Sequence, residues 1–142
     1  MTDERRCVLP ASLRCLPQAT AFVEAYCREH GVAGDDALRL TLIAEELFTN
    51  TATHGLNGSG DGEVRLTLSA GPAQVTLAYE DSAPAFDPVA HLNEALAELE
   101  APVERRRAGG FGLVLVAKMA DRVSYARIGA WNRLTLTLSR RG

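Results

Sequence analysis

Glu46, Asn50 and His54 recur at i, i+4 and i+8. At about 100° per residue, that spacing lines up a carboxylate, an amide and an imidazole along one side of a helix. Leu40, Ile43, Ala44 and Leu47 form the neighbouring apolar stripe, so the polar groups look out from the rim of a buried face. Burying such groups without partners costs roughly 1–3 kcal/mol each, so something polar should sit above them. For two such residues alone, a solvated stripe is the ordinary alternative; two later segments weigh against it. Asp81 ends a strand in phase with Val75, Leu77 and Tyr79, which aims an acid at the interior unless the strand simply stops and Asp81 is a turn residue. Gly109-Gly110-Phe111-Gly112 runs directly into the apolar stretch Leu113 to Ala120. Free N–H groups at a helix start suit an anion such as phosphate, although many glycine-rich turns are only loops.

The 142 residues make one domain, long enough to bury roughly two-thirds of the unfolded surface. Hydrophobic residues at 46% and charged residues at 23% exclude disordered, collagen-like and coiled-coil classes. A net charge of -3 and a pI near 5.6 give no general pull toward nucleic acid. The runs Arg105-Arg106-Arg107 and Arg140-Arg141 are solvated faces by default. The charged start leads into no apolar run of signal-peptide length, and no stretch of about 18 apolar residues occurs, so a cytoplasmic protein without membrane contact is expected. Cys7, Cys15 and Cys27 lack CxxC spacing and a cluster of histidines. They are expected as buried reduced thiols, with a redox pair between Cys15 and Cys27 left open.

Arg5 to Leu9 reads as a strand ended by Pro10, followed by a helix from about Pro17 to His30 that Gly31 stops. The central helix begins after Gly34, with Asp35 and Asp36 at its positive end, and continues to about His54. Gly55 to Gly62, four glycines in eight residues, is a flexible turn. Two alternating strands follow, centred on Val64-Leu66-Leu68 and Val75-Leu77-Tyr79 and separated by Gly71-Pro72. After the irregular run Ser82 to Phe86, Asp87-Pro88 starts a helix to about Leu99, and Glu100 to Gly110 connects. Leu113 to Ala120, apolar on nearly every side, must be deeply buried. Two final strands, Arg122 to Ile128 and Arg133 to Ser139, are joined by Gly129-Ala130-Trp131-Asn132. This order lacks repeated strand-helix alternation, so the fold class is α+β, a two-layer sandwich with an antiparallel or mixed sheet and helices on one face.

In this order the three segments resemble the successive nucleotide-binding boxes of the GHKL ATPase/kinase superfamily. The chain is similar to its compact single-domain branch, the anti-sigma-factor serine protein kinases of the RsbW type. The likeness runs from about Leu9 to Ser139 and includes the ending Asp121 to Tyr125 and Trp131 to Leu136. The resemblance implies the Bergerat-type sandwich as one domain over 1–142, with ATP or ADP and Mg2+ as cofactors. It makes Asn50 the ligand of the metal bridging the phosphates, and Glu46 the catalytic carboxylate that polarises the attacking hydroxyl. Asp81 accepts a hydrogen bond from the adenine amino group, while Gly109, Gly110, Phe111 and Gly112 cradle the phosphates. A lid over about 92–108 covers the nucleotide, and one of Arg105, Arg106 and Arg107, with Arg107 as the candidate, reaches the terminal phosphate. His54 is given no chemistry. The family commonly has glycine where this chain has Ala83, a departure that bears on nucleotide affinity.

The resemblance also implies partners: a sigma factor held inactive, and a STAS-type anti-anti-sigma protein phosphorylated on serine. A sequestering module without catalysis is the alternative, and a homodimer is left open. The ATP-binding half of a histidine kinase fits less well, because no helical segment with a phosphoacceptor histidine precedes the domain in this sequence.

Overall fold

A computed structural model of the chain describes residues 3–55, 62–87 and 116–141. In order these form β1 (Arg5–Pro10), α1 (Leu16–Glu29), α2 (Gly34–Asn50), β2 (Glu63–Ala70), β3 (Gln74–Asp81), β4 (Arg122–Ile128) and β5 (Trp131–Ser139). The strands make one sheet ordered β1-β2-β3-β5-β4. Every neighbouring pair is antiparallel, which decides between the antiparallel and mixed alternatives. Pro10 is the last residue of β1 rather than a breaker beyond it, a position an edge strand tolerates because its N–H is not needed.

Period two sorts the sheet into two faces. Val64, Leu66, Leu68, Val75, Leu77, Tyr79, Leu134, Leu136 and Leu138 point one way and meet Val23, Tyr26, Leu40, Ile43, Ala44 and Phe48 from the two helices in one core. Full burial of a side chain of this size is worth about 1.5–3 kcal/mol, so the helical layer is held to one face by area rather than by any single bond. Gly31 ends α1 as expected: its φ of 65° is left-handed, and the Val32 N–H turns back to the Cys27 carbonyl at 2.9 Å.

Several expectations need correction. α2 keeps its α geometry only to Asn50 and widens into a π turn over Thr51–Gly55, so the i+8 spacing to His54 is not a continued helical repeat. The β4–β5 connection is tighter than expected. Gly129 supplies a left-handed φ of 59°, and Trp131 already pairs with Ile128, so Trp131 and Asn132 belong to the strand. Residues 116–119 are helical, with Val116 buried but Lys118 exposed, so burial is one-sided there. Arg140 is no solvated charge: its guanidinium donates to the carbonyls of Gly31 at 2.8 Å and Gly71 at 2.9 Å, tying the end of α1 to the β2–β3 turn.

Cys15 precedes α1 and Cys27 lies near its end; at about 1.5 Å per residue they stand roughly 18 Å apart. A disulfide needs Cα atoms about 4.4–6.8 Å apart, so the helix itself rules out that pair. Burial pushes the Cys27 thiol up to about 11 and raises Cys7 as well, leaving both protonated and weakly nucleophilic. The helix expected from Asp87-Pro88 to Leu99 and the connection to Gly110 lie, beyond Asp87, outside the described residues. Among the described residues no helix is long and apolar enough to cross a membrane.

Candidate functional site

α2 buries Leu40, Ile43, Ala44, Leu47 and Phe48, and Glu46 and Asn50 lie half-buried at the rim of that face, as their spacing requires. One turn past Leu47 the buried stripe continues with a polar residue, Thr51. Its hydroxyl oxygen lies 2.9 Å from Asp81 Oδ2 and 2.6 Å from the Tyr79 hydroxyl. The Tyr79 hydroxyl in turn lies 2.9 Å from the Leu47 carbonyl. The end of the helix that carries Asn50 is therefore bonded directly to the end of the strand that carries Asp81. The first two of the three sequence segments converge.

The inward phase of Asp81 has a physical partner on the other side too. Asp81 and Asn132 are opposite each other in the β3–β5 register, and Asn132 Nδ2 donates to Asp81 Oδ1 at 2.9 Å. The same amide nitrogen reaches the carbonyls of Ala83 at 3.2 Å and Pro84 at 3.0 Å. Its oxygen accepts from the Tyr125 hydroxyl at 2.6 Å, the Phe86 N–H at 3.2 Å and Arg127 Nη1 at 3.2 Å. Arg127 Nη1 also donates to the Ala83 carbonyl at 2.9 Å. The irregular run after β3 is thereby pinned to β4 and β5. Ala83 sits within it, with its methyl buried and its own N–H 3.3 Å from Asp81 Oδ1.

A carboxylate offers about four acceptor sites. Thr51, Asn132 and the Ala83 N–H occupy three on Asp81, so capacity remains for about one further donor. Burial, reinforced by the Asp81 charge, holds the Tyr79 phenol well above its usual range, so its proton is always present. Among the described residues no three His, Cys, Asp or Glu side chains gather as a metal cage.

Glu46, Asn50, Asp81 and Ala83 thus lie on elements that meet at one end of the sheet. Gly109, Gly110, Phe111, Gly112, Arg107 and the lid over 92–108 lie outside the described residues, as does the His54 side chain. Thr51, Tyr79, Asn132 and Arg127 were not singled out by the sequence. For Asn132 a signal existed: counted back from Leu138, Leu136 and Leu134, it shares their inward phase, as Asp81 shares that of Tyr79.

The serine/threonine-protein kinase BtrW of Bordetella bronchiseptica is 34% identical to this chain over 98 residues, covering 69% of this chain and 67% of that protein. The model of the histidine kinase-like ATPase domain family matches residues 9–138, from the end of β1 to the penultimate residue of β5. A match of that extent, over a sheet whose strand ends gather Asp81 and the Asn50 helix, places the chain in one family: it belongs to the histidine kinase-like ATPase domain family.

Proposed function

We propose that this chain is a serine/threonine protein kinase of the partner-switching kind, working in the cytoplasm with ATP and Mg2+. It sequesters a sigma factor and phosphorylates a serine on a STAS-type anti-anti-sigma partner, so that phosphorylation decides which protein it holds. The observation that carries this reading is the bond from Thr51 to Asp81, which brings the helix of Glu46 and Asn50 to the base-reading acid. The similarity to a protein named a serine/threonine kinase supports the choice of phosphoryl acceptor.

ATP supplies the transferable phosphoryl group and Mg2+ offsets its charge. Asp81 would accept a hydrogen bond from the base amino group at its remaining acceptor site. Asn50, half-buried one turn from Glu46, would hold the metal through a neutral oxygen, a donor that suits a hard ion. Glu46 accepts the proton of the incoming serine hydroxyl. Phosphoryl transfer asks mainly for position and charge stabilisation, so one oriented base, one metal and a phosphate cradle suffice. Incubation with Mg-ATP and a STAS partner should give phosphoserine on the partner; nucleotide binding without transfer to any such partner sinks the kinase reading.

A second reading, sequestration without catalysis, is favoured by one observation, the buried Ala83 methyl at a position where the family commonly has glycine. Calorimetry separates the two, since no heat at millimolar ATP or ADP leaves the interaction role alone.

A further inference from the structure

Two hydroxyl protons must serve the contacts around Thr51. The Thr51 and Tyr79 oxygens are 2.6 Å apart, a distance that needs a proton between them. Asp81 Oδ2, an acceptor when ionised, lies 2.9 Å from the Thr51 oxygen and, of the two hydroxyls, can accept a hydrogen bond from Thr51. If Tyr79 donated to the Leu47 carbonyl and Thr51 to Asp81, the 2.6 Å contact would hold two facing lone pairs. If Thr51 donated to Tyr79, a lone pair would face the carboxylate. One order satisfies both contacts: Tyr79 donates to Thr51, and Thr51 donates to Asp81. The Leu47 carbonyl is not left unsatisfied, because the Thr51 N–H bonds it within the helix.

We propose that Tyr79 is a positioning residue for base recognition: its proton commits the Thr51 hydroxyl to Asp81, which occupies Oδ2 and leaves one acceptor direction for an exocyclic amino group. The inference rests on the nucleotide-binding reading of the site. Tyr79 never touches the ligand. It acts through Thr51, whose oxygen already lies 3.1 Å from the Leu47 carbonyl; without the Tyr79 proton, the Thr51 proton is free to turn to that carbonyl and leave a lone pair facing the carboxylate.

The consequence is a change in selectivity, not only in stability. ADP carries the 6-amino donor; IDP carries an oxo acceptor in the same place and a proton on N1, with the same sugar and diphosphate. Calorimetric Kd values for ADP and IDP are measured on the unmodified protein and on Tyr79→Phe, Thr51→Val and Thr51→Ser. The unmodified protein and Thr51→Ser, which keeps the hydroxyl, should prefer ADP by a similar ratio. Tyr79→Phe and Thr51→Val should lose at least fivefold of that ratio, mainly through weaker ADP binding. Loss of packing alone weakens both nucleotides together and leaves the ratio in place. An unchanged ratio in Tyr79→Phe, with folding confirmed by circular dichroism, overturns the role of Tyr79 while leaving nucleotide binding intact. Failure of the unmodified protein to bind ADP at all overturns both the inference and the reading beneath it.

Discussion

Asn132 Nδ2 stands 2.9 Å from Asp81 Oδ1, and the two residues face each other across β3 and β5. Asn132→Leu keeps the approximate volume and removes every bond of the amide. The carbonyls of Ala83 and Pro84 and the N–H of Phe86 lose that partner, and each buried group left unpaired costs about 1–3 kcal/mol. A net loss of about 2–4 kcal/mol is expected, because part of this run is exposed and water can replace some bonds. Urea denaturation checks it through a lower midpoint at unchanged slope, and ADP affinity should fall with it. A variant as stable as the parent would mean that the run after β3 is not held by Asn132.

The contrast between Asp81 and Asn132 shows what the sequence could and could not carry. Alternation at Val75, Leu77 and Tyr79 extends visibly to Asp81, so the inward acid was legible. Asn132 follows the same rule from Leu134, but Gly129-Ala130-Trp131-Asn132 reads as a four-residue loop until Gly129 is seen to close the turn early. Thr51 and Tyr79 were hidden differently. Tyr79 reads as an apolar strand residue, and its hydroxyl matters only because the α2 end crosses that strand, a long-range fact. Thr51 continues the Leu40, Ala44 and Leu47 stripe, and a polar residue in such a stripe marks a buried bond without naming its partner. Arg140 shows the converse, since a terminal pair of arginines carries no local sign that one of them caps two turns.

Asp36, 3% exposed, pairs with Arg39 at 2.6 Å and accepts the Arg141 N–H at 2.9 Å. Arg39 also donates to the carbonyls of Met119 and Ser139, both at 2.9 Å, so one guanidinium ties the start of α2 to the 116–119 helix and the end of β5. Removing Arg39 takes the facing positive charge from a buried carboxylate, a loss that costs up to about 3–5 kcal/mol, although the Arg141 N–H still bonds Asp36. Arg39→Met should therefore destabilise the fold by up to that much. Asp36→Asn/Arg39→Met together should cost less than the two single changes added, a double-mutant cycle measured by urea denaturation.

The Asp121 carboxylate accepts the Ser139 N–H at 2.6 Å, and that bond, aided by Arg141 and Arg39, holds it below the usual carboxylate value. A depressed folded value means that the unfolded chain binds the proton first. The contribution is therefore fully present above about pH 4, where the unfolded group ionises, and is lost as pH falls through the folded value. Asp121→Asn should be less stable than the parent at pH 7, with the gap closing by pH 3. Asp121 is partly exposed, so the gap is small and best read from paired urea midpoints across that window. A gap that widens on acidification would contradict the assignment.

Glu46 separates chemistry from binding. It lies half-buried at the rim of α2, one turn before Asn50, and Glu46→Gln preserves shape and helix propensity while removing the proton acceptor. Stability should stay within about 0.5 kcal/mol, as for most substitutions at such positions. General-base catalysis is typically worth about 10²–10⁴-fold, so phosphoserine formation should drop by at least about 100-fold with ADP affinity nearly unchanged. Asn50→Ala should do the reverse in part: binding that strengthens with added Mg2+ in the parent should lose that dependence, because the neutral oxygen is gone. Equal transfer rates in the parent and Glu46→Gln would assign the proton to another group, while loss of nucleotide binding in Glu46→Gln would place this carboxylate in the ligand cradle instead.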